Sequence, residues 1–125
     1  TYSSFEKTTI SSLITLFPDL SAALQAIIGR IVDLEKFVKC IKHPQFRGRT
    51  SIKIVLPALI PDLSYSNLDI SDGDTAMVTY AMMAKGLIPG EEVERNRLSM
   101  LEYCKMDTLA MVRLHEELSR LPNQT

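Results

Sequence analysis

The stretch 101–118, LEYCKMDTLAMVRLHEEL, is the clearest helix in the chain and the feature that most limits its fold. At 100° per residue, Leu101, Cys104, Thr108, Met111, Val112 and Leu118 fall on one side, and Glu102, Lys105, Arg113 and Glu116 fall opposite. The helix is expected to run from about Glu91 to Leu121. One broad apolar side on so long an element calls for other elements packed along it, and the rest of the sequence offers mainly helices. Asp107 breaks the pattern: it lies inside the apolar arc, one turn after Tyr103, where an ionised carboxylate is expensive unless paired, hydrogen-bonded or bound to a metal.

The preceding chain reads as shorter helices. Phe5, Ile10, Leu13, Ile14 and Phe17 mark a helix over 4–17; Pro18-Asp19 ends it and opens another through Ile31. RIVDL (30–34) suits a short buried strand, with Asp33 capping a helix over 34–42. HPQFRGR is a loop by its Pro and Gly. Ser51 opens a short helix through Leu59, which Pro57 bends or shortens. PDLSYSNLDISDGD is a further loop, and a helix follows over about 74–85, joined to the last one by GLIPG. The expected fold is mainly α, with about five or six helices and at most a short strand or two.

A second acid is also misplaced. Glu6 shares a stripe with Ile10, Leu13 and Phe17, at the opposite end of the chain from Asp107. Carboxylates that converge on one point repel unless a divalent cation sits between them. Without Cys or His in the set, the cation is magnesium or manganese rather than zinc. Cys40, His43, Cys104 and His115 lack zinc spacing, and His115 is expected in the core. The two cysteines give no disulfide framework and fit a reducing cytoplasm; no window has the length of a membrane span.

The net charge of −1 conceals an asymmetry. Residues 36–53 hold six Lys and Arg and no acid, while the remaining residues hold eight bases against fifteen acids. A basic segment on an acidic body is a candidate polyanion contact, through Lys39, Lys42, His43, Arg47, Arg49 and Lys53.

These residues resemble a known family. EYCKMD resembles the Y-x-x-x-D motif of the DnaQ-like (DEDDy-type) exonucleases, which have an α/β RNase H-like fold. TYSSFEK resembles their N-x-x-F-D motif, with Ser3 at the Asn position and Glu6 at the acid. RIVDL resembles the strand and Asp that follow, and TSIKIVLPALIPDL the Ser-Leu-Lys helix of YprB-like members. The whole pattern, from Tyr2 to about Leu118, is similar to a bacterial family known only as a domain of unknown function. The D-x-E motif of the first strand is absent from these 125 residues.

The resemblance implies a single domain over 1–125 that is the truncated, helical C-terminal part of an RNase H-like nuclease domain. It implies a metal-dependent, 3′→5′ exonuclease-like activity on DNA or RNA phosphodiesters, with the piece itself inactive. Asp107 would be a metal ligand, Glu6 would hold a second metal, and Tyr103 would orient the attacking water. Two Mg²⁺ or Mn²⁺ ions about 4 Å apart would need the missing D-x-E acids as well. Apolar faces left uncovered by the missing strands, carrying Ile10, Leu13, Phe17, Met111 and Val112, would favour a homo-oligomer. The alternative from another class is a non-catalytic helical interaction or nucleic-acid-binding module in which the acids are structural.

Overall fold

The computed structural model describes residues 1–121, in which six α-helices and three short 3-10 turns account for all regular structure. The helices are α1 (Phe5–Leu16), α2 (Ser21–Ile28), α3 (Leu34–Val38), α4 (Ile52–Leu59), α5 (Gly73–Ala84) and α6 (Gly90–Arg120). The mainly α expectation holds. Among the described residues no strand forms, and no helix is long and apolar enough to cross a membrane.

The core forms where α3 and α4 pack on α6. Met106, Ala110 and Leu114 recur every fourth residue along α6 and meet Val38, Val55 and Leu56. Phe46, Ile60 and Tyr65, from the loops flanking α4, close this core. The α1–α2 hairpin and α5 contribute no fully buried residue.

The buried side of α6 is turned roughly 140° from the expected arc. Leu101, Cys104, Thr108 and Val112 are exposed, and so is His115, which was expected in the core. Apolar residues extend around most of the circumference of α6, so periodicity alone does not choose which part is covered. Tyr103 and Asp107 still lie on the covered side, half-buried.

Residues 30–34 form no strand, but they keep extended pairing with the first residues. The Thr1 amino group donates to the Val32 carbonyl and the Leu34 N–H to the Thr1 carbonyl, both at 3.0 Å. That alternation is the pattern of a parallel ladder. Asp33 caps α3 as expected, accepting the Glu35 N–H at 3.0 Å, and the same oxygen accepts the Ser3 N–H at 2.9 Å. Helix α3 ends at Val38 rather than 42, because Cys40 and Ile41 turn back onto the carbonyls of Phe37 and Val38.

The chain is less compact than its size allows. A folded monomer of 14.0 kDa has about 6,700 Å² of accessible surface, and this one has 8865 Å². Phe5, Leu16, Met77, Tyr80 and Leu87 are each more than 60% exposed. A second apolar strip on α6, carrying Leu98, Leu101, Leu109 and Val112, is likewise uncovered.

Two truncations separate the covered side of α6 from the uncovered one. Leu114→Ala, which empties a fully buried position, should destabilise by about 2–5 kcal/mol in chemical denaturation. Leu101→Ala should change stability by no more than about 0.5 kcal/mol. Equal losses would refute the orientation of the helix.

Candidate functional site

Glu6 and Asp107 line one cavity of about 670 Å³, together with Tyr2, Ser3, Glu35 and Met111. Two acids from opposite ends of the chain therefore share one hollow. Two local causes bring them together. The pairing of residues 1–3 with 32–34 sets the start of α1 close to α6, and Glu6 occupies the first turn, where the helix dipole favours an acid. Asp107 comes from the edge of the α6 seam, next to buried Met106.

The carboxylates differ in their partners. Glu6 Oε2 is buried and has no hydrogen-bond partner, an arrangement that needs a compensating group. Asp107 Oδ1 accepts the Tyr65 hydroxyl at 2.7 Å. Glu35 also lines the cavity, but its carboxylate is engaged by the Lys39 ammonium at 3.0 Å and the Thr50 hydroxyl at 2.8 Å. These two contacts hold Glu35 below the usual carboxylate range, the Thr50 bond foremost.

Tyr65 sits in the loop between α4 and α5 and is buried. Burial, then the hydrogen bond to Asp107, push its phenol well above the ordinary value. Tyr103 packs its ring against Tyr65, centroids 6.1 Å apart. Burial and the neighbouring Asp107 charge raise Tyr103 as well. Its hydroxyl faces the first turn of α5, where a Cβ on Gly73 would lie 3.6 Å away. Sequence reasoning missed Tyr65 and Glu35; a lone Tyr in a loop carries no periodic or motif signal.

Could these residues hold a metal? Carboxylate oxygens suit a hard cation, and the unpartnered Glu6 oxygen is the kind of donor one would satisfy. Among the described residues, however, no group of three or more His, Cys, Asp or Glu could hold an ion. Glu6 and Asp107 have suitable chemistry but are too few to form a centre by themselves.

The basic residues divide. Lys39, Lys42, His43 and Arg49 line a second cavity of about 620 Å³, walled by Ile41 and Phe46. Arg47 faces a separate hollow with Gln45, Ile54 and Pro57. Lys53 lies exposed on α4, where its charge adds to the lowering of Asp72, chiefly caused by the Thr75 N–H.

Residues 1–51 match a family described as a domain of unknown function, DUF2779. The matched stretch contains Glu6, Asp33, Glu35 and most of the basic segment; Tyr103 and Asp107 lie beyond it. No curated protein and no solved structure matches the chain.

Tyr2, whose hydroxyl donates to the Thr50 carbonyl, is pushed up to about 12, mainly by burial and then by the Glu35 charge. Tyr65 is raised too. A phenol raised in the folded state contributes stability that is complete below its unfolded value of about 10 and is lost as pH climbs through the folded value. The melting temperature should therefore fall as pH rises above about 10. Tyr65→Phe should cost about 1.5–3 kcal/mol near neutrality, through the lost bond to a charged acceptor, and should flatten that alkaline decline.

Ser3 has φ +79°, a left-handed conformation costing about 1–2 kcal/mol for an L residue. Its Oγ accepts only a long bond from the Phe5 N–H, at 3.4 Å. Ser3→Gly should stabilise by about 0.5–1 kcal/mol, read as a higher denaturation midpoint at unchanged slope. A lower midpoint would show that the backbone is not strained there.

Proposed function

We propose that this chain is the helical C-terminal part of a metal-dependent nuclease domain of the DEDDy type, acting on the ends of DNA or RNA in the 3′→5′ sense. The observation that carries the reading is the shared cavity of Glu6 and Asp107, with a buried oxygen of Glu6 lacking a partner. Divalent cations bound there would activate water and neutralise the leaving oxygen, and the D-x-E acids of an additional strand would be needed to complete their ligand set. The chain's own residues prepare the site in a definable way. Tyr65 fixes Asp107 through one oxygen and leaves the other for a ligand, the usual arrangement of a hydrogen-bonded carboxylate ligand. Tyr103, whose ring meets Tyr65 at a tilt of 55°, limits the motion of both groups.

By itself the chain would not cleave. Its uncovered apolar faces on α1, α5 and α6 are the surfaces that a sheet would cover, and exposed as they are they favour self-association. One observation favours the other reading, a non-catalytic interaction module: the Tyr65 bond already satisfies half of the Asp107 carboxylate, as a structural acid would require.

Asp107→Asn separates the two. The amide keeps an acceptor for Tyr65 but removes the charge that holds a cation. In the full-length parent, cleavage of a labelled single strand should fall at least about a hundredfold. The melting temperature without metal should stay level or rise, and the magnesium-induced rise of the wild type should disappear. A mutant that melts well below metal-free wild type, with no magnesium shift in the wild type, would make Asp107 a structural residue.

A further inference from the structure

The 620 Å³ cavity beside the carboxylates has cationic and apolar walls together. Lys39, Lys42 and Arg49 supply charge, while Ile41, Pro44 and Phe46 supply an apolar side. Of its cations, Lys39 is held by the Glu35 carboxylate at 3.0 Å. On α6, Arg95, Arg97, Arg113 and Arg120 each have an acid partner within 4 Å. Lys42 and Arg49 have none among the described residues. Two unpaired cations converging on one hollow leave a local positive field that an anion would neutralise.

His43 adds a donor. Its Nδ1 accepts the Gln45 N–H at 3.3 Å, which assigns the proton of the neutral ring to Nε2. The ring also packs against Phe46, with centroids 5.1 Å apart. The cavity thus offers ammonium, guanidinium and imidazole donors beside an apolar and aromatic wall. Its volume lies in the range of small-molecule sites.

The two cavities share a partition. Glu35 lines the acidic one, Lys39 the basic one, and they meet at 3.0 Å; Thr50, on the basic side, bonds to Glu35 at 2.8 Å. Ser51 and Ile52, next along the chain, line the acidic cavity again.

We propose that the basic cavity holds one nucleotide of a single-stranded nucleic acid, with its phosphate on Lys42, Arg49 and His43 Nε2 and its base against Ile41, Pro44 and Phe46. A single strand is the fitting occupant because its bases are free to enter a walled hollow, whereas a duplex must first extrude one. The inference rests on the nuclease reading for the placement of the next phosphodiester over Glu6 and Asp107. The occupancy of the cavity itself does not depend on cleavage.

The test is binding by this chain to a fluorescein-labelled eight-nucleotide single strand, in EDTA, followed by anisotropy across a salt series. The double variant Lys42→Ala/Arg49→Ala should weaken binding at least about tenfold, and the slope of log affinity against log salt should drop by about 0.7, the share of the one phosphate these two residues hold. The control double Lys7→Ala/Lys85→Ala removes the same charge elsewhere and should stay within about threefold of wild type. An abasic strand of equal length and charge should bind at least about fivefold more weakly than the intact one. Binding is read in EDTA, where a metal-dependent cleavage does not run, so a failure of cleavage and a failure of this pocket are read separately. Equal losses in the two double variants, equal binding of the abasic strand, or no binding by the wild type would each overturn the proposal.

Discussion

The seam of Met106, Ala110 and Leu114 along α6 is the contact on which the other elements depend. Ala110 is fully buried, and its small side chain lets the α6 backbone come close to its neighbours. Val38, Val55 and Leu56 fill the space on either side, so α3 and α4 are set by the same few side chains. The seam is narrow, and its edge is where a polar residue can be half-covered without being stranded. Asp107 occupies that edge, one residue past Met106, within reach of Tyr65 and open to the cavity. The position of the acid is thus a consequence of how the apolar residues next to it are packed.

Asp33 is the second tie. One carboxylate oxygen serves both the Glu35 N–H at the start of α3 and the Ser3 N–H. Together with the paired Thr1, Val32 and Leu34 backbones, it holds the first residues against the entry to α3. Helix α1 starts from that anchor, and Glu6 reaches the cavity from its first turn. The hairpin beyond it adds nothing fully buried, so the placement of Glu6 relies on the anchor more than on the packing of α1.

Helix positions were legible because caps and breakers agree with periodicity. Pro18 follows the end of α1, Asp33 caps α3, and the GLIPG connector separates α5 from α6. Pro57 sits inside α4 without ending it; the bond it cannot make would go to the carbonyl of exposed Lys53, near the helix start. What periodicity could not supply was the facing of α6, because apolar residues extend beyond the covered seam to Leu98, Leu101 and Val112. Nor could it find Tyr65 and Ile70, which are buried from an irregular segment and owe their burial to tertiary contacts alone. Glu6 and Asp107, expected to converge because both are acids on apolar faces, line one cavity, although the α6 face was misjudged.

The Lys39 ammonium stands between two hollows of opposite sign and is committed to Glu35 when neither is filled. An anion on the basic side would draw that ammonium toward itself, and Glu35 would then present more of its charge to the acidic side. A cation there would in turn loosen Glu35 from Lys39 and free the lysine. Such exchange is reciprocal by thermodynamic necessity: whatever factor the first occupant lends the second, the second returns to the first. Were the hollows to take ligands of opposite charge, as proposed, this single shared ion pair would link them through the wall that separates them.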